Sequence, residues 1–154
     1  MLVLMLDQFS KQLVLSSDRF SALQCRTLNA PCGSVDLVPG LDLSFVWNRG
    51  VSFGALQAGG AGIWPLLLAS VVGGLFAFWL IKAKRWIQAA ALSAILGGAL
   101  GNMIDRARFG AVADFIDMTA LGVPWVFNLA DLGVCIGAIV LALDQLVADS
   151  RSSR

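Results

Sequence analysis

The sequence predicts an all-α integral membrane protein with three complete apolar spans, a stub of a further span at the N-terminus, and short strands on one membrane surface. Of 154 residues, 58% are hydrophobic and 14% charged, against roughly 45–50% and 25% in an average soluble domain. A chain of this length buries only about 70% of its unfolded surface, so a soluble version would leave much apolar area in water. No charge interrupts the run between Arg49 and Lys82. Lipid is the solvent that suits such a chain.

Met1 to Leu6 precede Asp7, far short of the ~20 residues a crossing helix needs. They form the stub, so either the start lies upstream or this helix is shortened. The segment lacks the basic region and small-residue cleavage site of a secretory signal. Ser16 to Ala58 follows, with Pro31, Gly33, Pro39 and Gly40 as turn signals and alternation from Leu41 to Trp47, a pattern of short strands lying on the membrane surface. Ile63 to Ile81 is the first complete span, and Trp86 to Ile104, rich in Ala, Leu and Gly, returns across the bilayer. Gly97, Gly98 and Gly101 permit close helix contact there. The third span runs from about Val126 to Val147, behind Pro124, with Asp131 in its second turn.

The basic turn Lys82-Ala83-Lys84-Arg85, with Arg151 and Arg154 after the last span, places both in the cytoplasm by the positive-inside rule. Arg106 and Arg108 oppose that orientation but are outnumbered. The connection 105–125 and the segment 16–58 therefore lie outside. No internal repeat or linker divides the chain, so 1–154 is one domain, expected to act as a monomer.

The residues that are missing narrow the chemistry. There is no histidine, glutamate or tyrosine, and the ten acids are all aspartates. Imidazole bases and imidazole metal ligands are therefore excluded. Cys25, Cys32 and Cys135 have no metal-ligand spacing, and of these only Cys25 and Cys32 could pair, in an oxidising compartment. A net charge of +1 gives no field for nucleic acid. No cofactor is called for.

Asp131 stands in an otherwise uncharged stretch from Met118 to Leu143, where an ionised aspartate at mid-bilayer costs about 2.5–3.5 kcal/mol. Proximity to a helix start lowers that cost, so the plain alternative is an acid serving the helix dipole. Asn128, three residues earlier, adds a polar group to the same face. Asn102 and Asp105 repeat that spacing at the outer end of the preceding span, where a local interaction between Asp105 and Arg106 is the plain alternative. Asp114 sits between apolar neighbours in the outer connection, whose ends are anchored by neighbouring helices, so the topology can bring it to Asp131. Two facing carboxylates hold one proton between them: the ionised member deprotonates water while the protonated one donates to a carbonyl. That is aspartic-peptidase chemistry. A hard cation held by Asp105, Asp114, Asp131 and the carbonyls of Asn102 and Asn128 is a second possibility, as is a proton-coupled transporter subunit using the same acids. Lys11 follows Asp7 by one helical turn, an ion-pair spacing that makes it a poor neutral base.

The ordered blocks Asp7-x-x-x-Lys11, Asn48-Arg49-Gly50-Val51-Ser52-Phe53-Gly54, Gly101-Asn102-x-x-Asp105-Arg106, Val112-x-Asp114-Phe115 and Phe127-Asn128-x-Ala130-Asp131 strongly resemble bacterial lipoprotein signal peptidase, the signal peptidase II family. The resemblance implies a four-transmembrane-helix bundle, its first helix truncated here, with a small extracytoplasmic β-cradle. It implies a multi-pass enzyme of the bacterial inner membrane, its active site near the outer face. Such an enzyme cuts prolipoproteins on the N-terminal side of a diacylglyceryl-modified cysteine. Asp114 and Asp131 match the family's catalytic pair, and Asn102, Asp105, Arg106 and Asn128 its supporting polar residues. Asn48 and Gly54 match the cradle motif that helps hold substrate, and Asp7 and Lys11 the motif at the outer end of the first helix. Membrane lipid and the lipid-modified substrate are the implied partners.

Overall fold

The computed structural model describes residues 1–18, 34–38, 41–48, 64–123 and 125–152. Among them the chain forms four α-helices: α1 (Leu2–Ser16), α2 (Trp64–Lys82), α3 (Trp86–Phe109) and α4 (Leu129–Ser152). Four strands, β1 (Ser34–Val38), β2 (Leu41–Asn48), β3 (Val112–Asp117) and β4 (Val126–Phe127), make one antiparallel sheet in sequence order. The turn signals Pro31, Gly33, Pro39 and Gly40, the motif residues Arg49 to Gly54, and Cys25, Cys32, Pro124 and Arg154 lie outside the described residues.

Helices α3 and α4 form the central pair, α1 packs across both, and α2 packs on α3. Two segments, Trp86–Phe109 and Leu129–Ala148, are long and apolar enough to cross a membrane. Only 33% and 22% of their most apolar windows are buried by the rest of the chain, whereas the central helix of a soluble protein would be mostly covered. The outward residues explain why: Leu75, Phe78 and Ile81 on α2 and Ile136, Ile139 and Leu146 on α4 are all exposed, which lipid tolerates and water does not. Cys135 joins this exposed side of α4.

The interior is divided in two. Ala91, Leu92, Ile95 and Leu141 bury between α3 and α4, with Phe76 and Leu80 of α2 against them. Phe45, Ala113 and Phe115 of the sheet bury with Val14 and Leu15 at the end of α1. The short first helix thus has a place to seat, and it reaches the sheet. Gly110, with φ 71°, ends α3 in the left-handed conformation, its N–H donating to the Arg106 carbonyl at 3.0 Å. That cap turns the chain from α3 directly into β3.

Three expectations need correction. The third span begins at Leu129, not Val126, because Val126 and Phe127 pair as β4 with Asp117 and Ile116. Asp131 consequently lies in the first helical turn. The second span runs on to Phe109, because Asp105 is buried and paired instead of solvated, and Arg106 and Arg108 suit the dipole of a last turn. The connection 105–125 carries strand β3, whose first four residues are all buried, so the alternation that marks a half-exposed strand is absent.

At the end of α4 remote from Asp131, about 20 Å along the axis, Arg85 Nη2 stands 2.6 Å from Asp144 Oδ2. Between these ends the helix backbones nearly touch. A Cβ at Gly98 would strike the Ala130 carbonyl oxygen and lie 2.8 Å from Val134 Cγ2, whereas one at Gly73 of α2 would meet nothing within 4 Å. Gly98→Val is therefore expected to destabilise the protein by about 1–3 kcal/mol through overpacking, and Gly73→Ala to leave it unchanged or slightly firmer. Thermal unfolding of the two variants in detergent micelles reads the contrast.

Candidate active site

The polar residues of three helices and the sheet converge where α1, α3, β3 and the start of α4 meet. Asn128 is the N-cap of α4 and Asp131 its third residue, and they form a reciprocal box: the Asp131 N–H donates to Asn128 Oδ1 at 3.0 Å, and the Asn128 N–H donates to Asp131 Oδ2 at 3.3 Å. The expected helix-dipole role of Asp131 is thus real, but it occupies one oxygen only. Asp131 Oδ1 accepts from Asn102 Nδ2 at 2.7 Å.

With its carbonyl turned to Asp131, Asn128 presents its amide nitrogen to the sheet. Nδ2 donates to Asp114 Oδ1 at 2.6 Å and to Asn102 Oδ1 at 3.1 Å. Asp114 is brought there by β3, paired across from Val46. Asn48, two residues further along β2, lies diagonal to it and donates Nδ2 to Asp114 Oδ2 at 2.9 Å. One asparagine therefore touches both aspartates. Asp114 and Asn128 are 1% and 0% exposed, while Asp131 and Asn102 are half-buried.

Behind this pair lies an ionic cluster. Lys11 Nζ is 2.8 Å from Asp7 Oδ2 and 2.8 Å from Asp105 Oδ2, and it donates to Asn102 Oδ1 at 3.2 Å. Asp105 thus pairs with Lys11 and not with its neighbour Arg106, whose exposed guanidinium donates to the Asn102 carbonyl at 3.3 Å. Asp105 makes its remaining contacts with Gln8 and the Ala113 N–H. Among the described residues no group of three or more His, Cys, Asp or Glu is placed to hold a metal ion. Every site residue singled out in the sequence belongs to this assembly except Gly54, which lies outside the described residues.

The sequence reading missed Gln8, which donates to both Asp7 and Asp105. The close helix contact expected at Gly101 is present: a Cβ there would strike the Asp7 carboxylate. The signal for Gln8 was available: it adjoins Asp7 and lies three residues before Lys11, on the same polar side of a short helix.

Burial pushes the Asp114 carboxyl up to about 6 from 3.8, and the Asp131 charge adds to the rise, while the Asn48 and Asn128 amides and Lys11 oppose it. A buried acid with a raised pKa, linked through shared amides to a second and more accessible one, can keep a proton while its partner is charged.

The family model described as Signal peptidase (SPase) II matches residues 1–147. The chain belongs to the signal peptidase II family. It is 46% identical over 121 residues to a lipoprotein signal peptidase of Methylobacterium radiotolerans, covering 77% of this chain and 71% of that one. It is 38% identical to the lipoprotein signal peptidase of Anaplasma phagocytophilum, covering 86% of each. A solved bacterial membrane enzyme, determined at 1.9 Å, superposes with a TM-score of 0.77 at 26% identity, over 94% of this chain and 88% of that one. Signal peptidase II members are proteases, so the enzyme reading stands and the transporter alternative has no support.

In this signal peptidase II chain the folded pKa of Asp114 lies above its unfolded value. Its contribution to stability is therefore complete below pH 3.8 and is lost as pH rises through about 6. Asp131→Asn is expected to lower the Asp114 pKa and Asn48→Ala to raise it, with carboxyl titration by isotope-edited infrared spectroscopy as the measurement.

Proposed function

We propose that this chain is an aspartic endopeptidase that removes the signal peptide from prolipoproteins, on the N-terminal side of the diacylglyceryl-modified cysteine, with Asp114 and Asp131 as its catalytic pair. The observation that carries the reading is Asn128, whose side chain donates to the Asp114 carboxylate and accepts the main-chain N–H of Asp131, so that one residue bridges the two aspartates. Asp114 is assigned the shared proton, because it is buried and its pKa is pushed up to about 6. Asp131, better exposed and in the first turn of α4, is assigned the base.

In that arrangement Asp131 takes a proton from water as the oxygen attacks the scissile carbonyl, and Asp114 gives its proton to the carbonyl oxygen. A tetrahedral gem-diol forms. As it collapses, Asp131 delivers its proton to the leaving nitrogen and Asp114 recovers one from the hydroxyl, so the pair ends as it began. Asn102 and Asn48 hold the carboxylates in place through these changes. Arg106, exposed beside Asn102, and Gly54 in the cradle motif are assigned supporting roles in holding substrate.

The basic turn Lys82 to Arg85 lies at the end of the bundle opposite the aspartates, which under the positive-inside rule supports a site near the extracytoplasmic face of the bacterial inner membrane. α2, with Leu75, Phe78 and Ile81 facing outward, and the short α1 are assigned as the remaining spans of a four-helix bundle with the sheet as its extracytoplasmic cradle. Among the described residues, a single copy supplies every site contact named.

Asp114→Asn and Asp131→Asn are each expected to cut cleavage of a purified diacylglyceryl-modified prolipoprotein by at least about 1,000-fold while leaving a folded protein. A metal chelator is expected to change nothing. Retained cleavage in either variant overturns the assignment of the pair.

A further inference from the structure

The two carboxylates flanking Lys11 do the same thing at two different places. Asp7 Oδ1 accepts the main-chain N–H of Ala130 at 2.9 Å, one residue before Asp131. Asp105 Oδ2 accepts the main-chain N–H of Ala113 at 3.1 Å, one residue before Asp114. Each holds the backbone immediately ahead of one proposed catalytic aspartate, and the two reach it from different helices.

The separation between Asp7 and Asp105 therefore bears on the separation between Asp114 and Asp131. Lys11 ties the first pair together, but its three N–H groups are taken by Asp7 Oδ2, Asp105 Oδ2 and Asn102 Oδ1. One ammonium also leaves two buried carboxylates one positive charge short. Gln8 supplies the remaining donors. The two hydrogens on its Nε2 are shared among Asp7 Oδ2 at 3.1 Å, Asp105 Oδ1 at 3.2 Å and the Gly101 carbonyl at 3.3 Å. The absence of a side chain at Gly101 leaves room for the Asp7 carboxylate.

We propose that Gln8 is a positioning residue for the cleavage reaction, bridging Asp7 to Asp105 so that the backbones they grip hold Asp114 and Asp131 at a fixed spacing. This rests on the assignment of those two aspartates as the catalytic pair. Without the amide donors, two like charges share one ammonium and move apart, and each carries its backbone N–H with it. A misplacement of about 1 Å in a reacting pair can cost about 100-fold in rate, and Gln8 is not assigned any contact with substrate.

The test is steady-state cleavage of a diacylglyceryl-modified prolipoprotein by the full chain in detergent micelles. It uses Gln8→Met, which keeps length and loses the donors, and Gln8→Glu, which keeps shape and turns donors into acceptors, with Asp114→Asn as control. With rates normalised to folded protein, kcat is expected to fall about 10-fold in Gln8→Met and about 100-fold in Gln8→Glu, at unchanged KM. A space-filling role predicts equal kcat per folded molecule in both. Values within about twofold of the parent for both variants overturn the proposal. If neither variant folds, Gln8→Asn takes their place: its donor falls one methylene short, so a reduced kcat at unchanged KM supports the bridge and an unchanged kcat overturns it. Cleavage by Asp114→Asn would instead sink the catalytic pair, so the two readings fail separately.

Discussion

A lysine with 3% of its side chain exposed holds this site together. Burying an ion costs several kcal/mol, and removing one partner of a buried pair is worse than replacing both. Lys11 meets that cost by using every donor it has, on Asp7, Asp105 and Asn102. Its grip on the Asn102 carbonyl also fixes which way that amide faces, so that Nδ2 points to Asp131. From there the sequence of donors and acceptors is determined through Asn128 to Asp114. Apolar packing alone could assemble the helices, but it could not choose these amide orientations.

The start of α4 serves folding and chemistry with the same atoms. Asn128 and Asp131 satisfy each other's backbone N–H groups as a helix cap does. The same two side chains face Asp114 and Asn102. This economy explains how a chain with no histidine and no glutamate still builds a titratable centre. It also explains why an acid can stand at the end of a membrane helix at modest cost, since the dipole and two donors replace part of its hydration.

Much of this was legible in the sequence because the features involved are local. Charge-free runs marked the helices, alternation marked β2 from Leu41 to Trp47, and the spacing of Asp7 with Lys11 and of Asn128 with Asp131 set side chains on shared faces. What failed was the boundary between strand and helix at 126–129 and the existence of β3. Hydropathy does not distinguish Val126 bonded to Asp117 from Val126 in a helix, and a strand buried on both faces has no alternation to read. A local interaction of Asp105 with Arg106 stood as the plain alternative because adjacency in sequence is visible and the long-range contact with Lys11 is not. Gln8 was passed over because a neutral amide carries no charge signal, although its role depends on lying between two charges.

The close contact of α3 with α4 at Gly98 lies between two polar ties, Asn102 with Asp131 at one end and Arg85 with Asp144 at the other. Sliding one helix past the other by a single residue, about 1.5 Å, would strain both ties at once and drive side chains into the bare backbone between them. These two helices therefore behave as one rigid plank. Because α1 is pinned to that plank through Asp7, Gln8 and Lys11, the freedom left to the bundle lies along the edge where α2 leans against α3.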